Sequence, residues 1–145
     1  MLKIARAKAP DGKFTAADAH RLPFKDESFH RATIAFGFRN VTDKPKGLSE
    51  LYRVLKKGGR LVILEFSEPE NKAFAALYRF YFKKILPFIG GLISGNRKAY
   101  EYLPDSVYKF PKRPEYHEMI INAGFASVKF IPMTFGIVTI AIIDK

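Results

Sequence analysis

The sequence predicts a single α/β domain, and three patterns lead to that class. Two largely apolar runs, residues 31–38 and 60–66, are typical of buried strands, and a helix signal lies between them. A strand, a helix and a strand within about 35 residues form a βαβ unit with parallel strands. Two further apolar runs lie on either side of residues 134–136 near the end of the sequence, which predicts a terminal hairpin. The 145 residues show no internal repeat and no linker, so we expect one domain over 1–145.

The helix between the two strands has the clearest start and end. Thr42 or Asp43 can cap its first turn, and Pro45 suits that turn because a backbone N–H has no partner there. An apolar face recurs at helical spacing: Leu48, Leu51, Tyr52 and Leu55. Gly58 predicts a left-handed helix end. Gly58-Gly59 precedes a strand instead of following one, so we interpret it as a helix stop and not as a cofactor-binding loop.

Weaker signals predict the remaining elements. Residues 2–9 are typical of the end of a helix, and residues 13–18 are typical of a short strand. Residues 20–29 and 95–113 are polar and predict loops. A helix is predicted over residues 114–124, which begin with proline and end with glycine.

Composition excludes several classes of protein. The chain has no cysteine, which excludes a disulfide scaffold, a thiolate metal site and a cysteine nucleophile. Its three histidines, His20, His30 and His117, stand in unrelated contexts, so we expect no histidine-built metal site. The sequence contains neither an unbroken apolar stretch long enough to span a bilayer nor a secretory signal. We therefore expect a cytoplasmic protein that at most contacts a membrane peripherally.

The formal net charge of +11 favours anionic partners. The basic residues come in pairs spread along the chain, and no helix-turn-helix, zinc-finger or RNA-recognition pattern accompanies them. We therefore expect no nucleic-acid partner. Two alternatives stay open: a generally solvated basic surface, or attraction to an acidic lipid surface or to phosphates.

Aromatic residues concentrate in the segment 74–94. Its apolar positions recur as one stripe of a helix: Phe74, Leu77, Tyr78, Tyr81, Phe82, Ile85 and Leu86. Such a helix is either part of the core or an interfacial helix that binds a lipid tail, with neighbouring basic residues facing anionic headgroups. Because Pro87 and Gly90-Gly91 follow, we expect the helix to end near Leu86 and the double glycine to form a turn.

Four polar residues stand at the ends of predicted strands: Asp18, Arg39, Asn40 and Glu65. Ligands bind at the carboxyl ends of strands in open α/β sheets, so these side chains are expected at one rim of the sheet. Glu68 and Glu70 come later in a polar segment, and we interpret them as solvated loop acids. The rim predicts a site without defining its chemistry.

Longer motifs resemble those of one family. They are ADAHRLPF, TIAFGFRNVTDKPKGLSELYRVLKKGGRLVILEFSEP, KKILPFIGGLISG, AYEYLPDSV and AGF. These segments look like the C-methyltransferases of ubiquinone and menaquinone biosynthesis, and FGFRNVTD and LEFSEP are specific to that family. The resemblance covers nearly the whole chain.

The resemblance implies a Rossmann-like class I methyltransferase with strand order 3-2-1-4-5-7-6 and S-adenosylmethionine as cofactor. The implied reaction methylates a ring carbon of a polyprenylated quinol, of the demethylmenaquinol or polyprenyl-methoxybenzoquinol type. Asp18 and Ala19 match family positions on the adenine side of the cofactor, and Ala35 matches a position beneath it. Arg39 and Asn40 match positions near the quinol ring. A cation such as Arg39 would favour the deprotonated hydroxyl that ring-carbon methylation needs.

The polyprenyl tail of such a substrate lies in a bilayer and requires an apolar trough, a role that suits residues 74–93. A basic protein that visits an anionic membrane surface is consistent with this substrate.

The chain also departs from the family pattern. His20 stands where Glu is usual, and His30 stands where Asp is usual. Family members carry an upstream part with the first strands, a glycine-rich cofactor loop and an acidic residue that binds ribose. Without those strands, residues 14–17 have no partner and the strand at 33–38 becomes an open edge.

We therefore expect the C-terminal part of a methyltransferase sheet that lacks its first strands and ends in an antiparallel hairpin. By itself, this polypeptide is not expected to methylate. The alternative is a non-catalytic fragment that binds quinones, a membrane surface, a second copy of itself or a full-length partner.

Overall fold

The computed structural model describes residues 2–69, 71–85 and 97–145. In chain order, its strands and helices are α1 (Leu2–Lys8), β1 (Phe29–Ala35), α2 (Lys44–Val54), β2 (Leu55–Phe66), α3 (Lys72–Phe80), α4 (Arg97–Tyr108), α5 (Arg113–Asn122), β3 (Ser127–Met133) and β4 (Val138–Asp144). Short 3-10 turns lie at Phe38–Asn40 and Thr134–Gly136, and a π-helical turn, Tyr81–Ile85, follows α3. Glu70, the expected helix end near Leu86 and Gly90-Gly91 lie outside the described residues.

The strands form one mixed sheet in the order β1-β2-β4-β3. β1 and β2 are parallel, with Thr33 opposite Val62, and α2 connects them. β4 runs antiparallel to both β2 and β3, with Leu61 of β2 opposite Ile143. The predicted βαβ unit and terminal hairpin are both confirmed. The order matches the last four strands of the implied class I sheet, 4-5-7-6.

β1 is an edge of the sheet that the described residues form. Its outward residues are exposed: Arg31, Thr33 and Ala35. The predicted strand at residues 13–18 is wrong, because that segment makes only an isolated bridge between Asp18 and Arg21. A strand needs a hydrogen-bonded neighbour, and no strand in the described part of the chain pairs with residues 13–17.

Helix α2 begins as predicted and ends earlier. The Asp43 side chain accepts a hydrogen bond from the backbone N–H of Lys46 at 3.0 Å, and a proline occupies the first turn. The helix ends at Val54, because Leu55 adopts an extended backbone and is fully buried as the first residue of β2. The prediction that Gly58 ends the helix is therefore wrong. Gly58 has φ +67 and makes a left-handed turn within the irregular start of β2.

The core lies where α2 and α5 pack on one face of the sheet. It comprises Phe38, Leu48, Leu55, Leu61, Ile63, Tyr116, Ile120, Phe125, Ala141 and Ile143. Helix α5 begins at a proline-containing turn and ends before Gly124, as predicted. Gly124 has φ +103, and a Cβ there would stand 3.2 Å from the Tyr52 ring, so both conformation and space favour glycine.

The aromatic helix buries only part of the predicted stripe, namely Tyr78 and Phe82. Ala75, Tyr78 and Phe82 are buried, whereas Leu77 and Tyr81 are exposed. Both sets follow helical spacing, because apolar residues surround this helix on most sides and periodicity alone does not select the inner face.

The predicted loop over residues 95–113 is wrong for most of its length, since α4 occupies Arg97–Tyr108. The segment is rich in polar residues and contains Pro104, and both features predict a loop instead of a helix. Val107 and Ser106 are buried, and the Ser106 hydroxyl donates to the carbonyl of Leu103 at 2.8 Å. Tertiary burial therefore stabilises a helix that local propensity disfavours.

The loop before β1 is fastened to α2 through one arginine. Arg53 contacts Glu50 with two nitrogens, at 2.9 and 2.8 Å, and also contacts Asp26 at 2.7 Å. The Glu50 carboxylate accepts the backbone N–H of Leu22 at 2.9 Å. The hydrogen bond from Arg53 is the main cause that lowers the pKa of Glu50 from 4.5 to about 2; burial opposes it, and the Leu22 backbone bond adds a smaller lowering effect.

This lowered pKa predicts acid sensitivity. Stability from Glu50 is fully present above pH 4.5 and is lost as the pH falls through about 2. Between pH 5 and pH 2, the unfolding free energy of both proteins should fall. We expect the fall to be about 1–2 kcal/mol smaller in the Glu50→Gln variant than in wild type. Urea unfolding at a series of pH values measures both curves. Parallel curves for the two proteins would show that Glu50 does not titrate in this range.

Candidate active site

A buried ion pair joins the ends of the two parallel strands. Arg39 lies in the 3-10 turn after β1, and Glu65 is the penultimate residue of β2. The Arg39 Nη1 atom lies 2.8 Å from Glu65 Oε1, and the Arg39 backbone N–H donates to Oε2 at 3.0 Å. The side chains are 12% and 4% exposed. Two charges so buried are held by several hydrogen bonds, which fixes the guanidinium in one position.

The backbone at Phe36 explains why β1 stops at Ala35 instead of continuing to residue 38. Phe36 has φ +53, a left-handed conformation that is rare for a bulky residue. Its N–H still donates to the carbonyl of Leu64 at 2.8 Å, but its own carbonyl accepts a hydrogen bond from Arg39 Nη1. A strained residue next to a buried charge is typical of functional sites.

The guanidinium has further neighbours. It lies 5.6 Å from the centre of the Phe66 ring, within cation–π distance. Its Nε atom is buried and has no hydrogen-bond partner among the described residues. Arg39 is therefore a fixed cation that keeps one unused donor at the rim of the sheet.

Asn40 is held by Tyr102, a residue that the sequence did not mark as part of the site. The Tyr102 hydroxyl of α4 donates to Asn40 Oδ1 at 2.7 Å. This contact uses the amide oxygen and leaves the two amide N–H groups of Asn40 for other acceptors. Tyr102 falls in the segment predicted as a loop, so no sequence signal placed it near Asn40.

Asp18 has different hydrogen-bond partners from the Arg39–Glu65 pair. Its Oδ1 atom accepts the backbone N–H of His20 at 2.9 Å and lies 2.7 Å from His20 Nδ1. His20 Nε2 in turn accepts the N–H of Asp43 at 3.1 Å, which links Asp18 to the start of α2. The backbone bond from His20 is the main cause that lowers the pKa of Asp18. Its side chain is 68% exposed and stays anionic at neutral pH.

The structure therefore brings together three of the four predicted rim residues. Arg39 contacts Glu65 directly, and Asn40 follows Arg39 in the same turn. No hydrogen bond in the described part of the chain joins Asp18 to that group. Ala35 is exposed at the end of β1, and Ala19 is half-buried beside Asp18.

Glu68 is exposed, as expected of a loop acid, and it also contacts Arg79 of α3 at 3.1 Å. Both side chains are largely accessible, so this ion pair contributes little to stability.

A cavity of about 360 Å³ adjoins the ion pair. It lies between the sheet, the end of α4 and the start of α5, and Glu65 forms part of its wall. Its aromatic lining comprises Phe66, Tyr108, Phe110, Tyr116 and Phe130. The sequence does not predict this cavity, because its walls come from five separate elements.

Within the described residues, no group of three or more histidine, cysteine or acidic side chains has the arrangement of a metal site. None of the helices in the same part of the chain is both long and apolar enough to cross a membrane.

The sequence matches one protein family over its whole length. A family model described as the ubiE/COQ5 methyltransferase family matches residues 1–145. A Thermus thermophilus relative named demethylmenaquinone methyltransferase is 52% identical over all of this chain and 67% of its own length. A Geobacter relative named ubiquinone/menaquinone biosynthesis C-methyltransferase UbiE is 46% identical over all of this chain and 64% of its own length. The chain thus spans about two thirds of the length of these relatives.

Solved structures show the same fold. A Thermotoga maritima SAM-dependent methyltransferase matches with a TM-score of 0.65 at 22% identity, over 100% of this chain and 69% of its own. A putative methyltransferase of Haloferax volcanii, solved with the activator Trm112, matches with a TM-score of 0.65 at 19% identity, over 99% and 67% of the two chains. At such identities the likeness extends to the fold alone.

Proposed function

Because the chain belongs to the ubiE/COQ5 methyltransferase family, we propose that it carries the quinol-facing part of a C-methyltransferase. The proposed reaction moves the methyl group of S-adenosylmethionine to a ring carbon of a polyprenylated naphthoquinol or benzoquinol. The new carbon–carbon bond would replace the methyl–sulfur bond, so S-adenosylhomocysteine would leave, and the ring carbon would lose its hydrogen to solvent as a proton, which restores the aromatic ring. The names of the relatives support a quinone substrate. The observation that carries the proposal is the buried Arg39–Glu65 pair at the carboxyl ends of two parallel strands, where open α/β sheets bind ligands.

The proposed roles of the rim residues follow from their contacts. A ring carbon attacks a methyl group readily only when the adjacent hydroxyl is deprotonated, since the phenolate delivers electron density to the ring. The Arg39 guanidinium favours that phenolate, and Glu65 holds the guanidinium in place. Asn40, whose amide oxygen is occupied by Tyr102, offers N–H donors to a second ring oxygen.

The proposed cofactor is S-adenosylmethionine, the one that the family resemblance implies. When bound, it supplies an electrophilic methyl group. Residues of this chain fit one side of it. The exposed, anionic Asp18 can accept hydrogen bonds from an adenine amino group, and the small side chains of Ala19 and Ala35 leave room for a flat ring.

We expect the 145-residue chain by itself to bind S-adenosylmethionine weakly, with a Kd above about 1 mM, and not to methylate. β1 is an open edge among the described strands, so Asp18, Ala19 and Ala35 contact the cofactor from one side only. One-sided sites bury too little ligand surface for tight binding. Isothermal titration measures the affinity, and micromolar binding by the isolated chain would contradict the expectation.

The proposal includes contact with an anionic bilayer, the place where polyprenyl tails lie. Apolar side chains of α3 and of the hairpin turn are exposed, and Phe74 meets Phe135 with ring centres 5.7 Å apart. This apolar surface comprises Phe74, Leu77, Phe80, Tyr81 and Phe135. Residues 71–85 contain four basic and no acidic residues, which complements anionic headgroups.

Replacing two members of the apolar surface should weaken vesicle binding. Phe135 and Leu77 are 86% and 62% exposed, so the Phe135→Ser/Leu77→Ser variant should fold normally. We expect its partitioning onto phosphatidylglycerol vesicles to fall about tenfold in a pelleting assay. The matched control is Ile4→Ser, which changes an apolar residue of α1 that is 63% exposed. An equal loss in both variants, or none in either, would remove the apolar surface from the proposal.

A cellular assay tests the proposed reaction. About a third of the Thermus thermophilus relative has no counterpart in this chain. We call the protein that joins that third to this chain, in the order found in the relative, the joined chain. In a bacterium without its own quinone methyltransferase, the joined chain should convert demethylmenaquinone to menaquinone, as measured by mass spectrometry of the lipid extract. A folded joined chain that leaves the quinones unmethylated would oppose the proposal.

A further inference from the structure

The aromatic cavity beside Glu65 has the size of a ring system and not of a whole prenylated quinol. Its volume of about 360 Å³ is near the lower end of small-molecule pockets. One or two fused rings fit such a space, whereas a polyprenyl tail must leave it. Because Glu65 both lines the cavity and binds Arg39, a ring inside would lie next to the ion pair.

Tyr116 lines this cavity and carries a buried hydroxyl for which no described residue provides a hydrogen-bond partner. The residue is 5% exposed, and its hydroxyl has no hydrogen-bond partner among them. A buried hydroxyl without a partner costs about 1–3 kcal/mol, and native proteins rarely retain one without a reason. Burial is the main cause that raises the pKa of Tyr116, so the phenol remains protonated and can donate.

The aromatic neighbours of Tyr116 favour a flat ligand. Phe110 lies with its ring centre 5.0 Å from that of Tyr116, and Phe130 lies at 5.8 Å. Both rings line the cavity. Aromatic walls at these separations accept another ring by edge or offset contacts.

From these observations we propose that the cavity is the binding site for the oxygenated ring of the substrate and that the Tyr116 hydroxyl donates to one of its ring oxygens. The inference rests on the proposed function, because it takes a quinol or quinone as the ligand class. It assigns Tyr116 as a binding residue in addition to the Arg39–Glu65 pair.

Tyr78 supplies a matched control. It is also 5% exposed, and its hydroxyl likewise has no partner among the described residues, yet it is absent from the lining of this cavity. Replacing either tyrosine with phenylalanine removes one buried, unpartnered oxygen and preserves the ring. The two variants should therefore have similar stability and differ only in ligand binding.

Equilibrium dialysis with two probes of the same shape tests the inference on the chain itself. Menadione has two ring oxygens, and 2-methylnaphthalene has none. We expect Tyr116→Phe to weaken menadione binding about tenfold and to leave 2-methylnaphthalene binding unchanged. Tyr78→Phe should bind both probes as wild type does.

Two results would overturn the inference: no saturable menadione binding to the wild-type chain, or the same change for both probes in Tyr116→Phe. Methylation by the joined chain shows whether the ring site or the proposed function has failed. If it methylates quinols while Tyr116→Phe binds menadione normally, only the ring site is wrong. If the probe pattern holds and no methylation occurs, the ring site stands and the proposed reaction is wrong.

Discussion

Replacing Arg39 with glutamine in the joined chain is expected to lower kcat for quinol methylation by about 100-fold or more, with little change in KM. In the proposed reaction, the guanidinium favours the phenolate, which is the reactive form of the ring, and a neutral amide does not. Interactions made mainly with the charged reacting state affect kcat more than binding. Methyl transfer at saturating quinol, with label on the methyl group, measures this loss.

Two companion variants keep this prediction specific. Arg39→Lys retains the charge but not the planar fork, so we expect an intermediate loss of kcat and a protein closer to wild type in stability. Arg60→Gln removes another arginine, one whose side chain is 45% exposed and paired with Asp144, and should leave kcat unchanged. A folded Arg39→Gln variant with kcat within a few-fold of wild type would exclude Arg39 from the chemistry.

Replacing Glu65 with glutamine should destabilise the fold by about 3 kcal/mol or more. The Arg39 guanidinium is only 12% exposed, so the change leaves a buried cation without its counter-charge. It also replaces the carboxylate that accepts the backbone N–H groups of Arg39 and Phe66, both at 3.0 Å, with a neutral amide that has only one acceptor oxygen. Urea unfolding at neutral pH measures the difference in free energy.

Two further variants test whether this loss of stability comes from the buried charge. One breaks an exposed ion pair, and the other removes the buried cation as well. Asp144→Asn breaks the accessible Arg60–Asp144 pair and should cost less than about 1 kcal/mol. The double variant Arg39→Met/Glu65→Gln removes the buried cation and should recover part of the lost stability. If Glu65→Gln and Asp144→Asn have equal effects, burial of the pair contributes nothing to its strength.

The parts of the fold that local sequence determines were predictable. The capping side chain of Asp43 and the apolar runs on either side of α2 specify a βαβ unit without reference to the rest of the chain. Helix ends that depend on distant contacts were not predictable. Burial of Leu55 ends α2 before Gly58, and burial of Val107 stabilises a helix across Pro104.

The candidate site divides in the same way. Parallel strands place their carboxyl ends side by side, so the sequence order alone predicted that Arg39, Asn40 and Glu65 meet. The contacts of Tyr102 and Tyr116 could not be predicted, because they depend on how α4 and α5 pack over residues far away in the chain.

The proposed reaction methylates a ring carbon of the quinol, and not an oxygen, at the Arg39–Glu65 rim. The direct measurement supplies the joined chain with S-adenosylmethionine labelled with carbon-13 in its methyl group and with demethylmenaquinol, and records the product by nuclear magnetic resonance. We expect the label to appear as a methyl group on a ring carbon, and we expect Arg39→Gln nearly to abolish the signal. A labelled methoxy group, or ring methylation that is insensitive to Arg39, would contradict it.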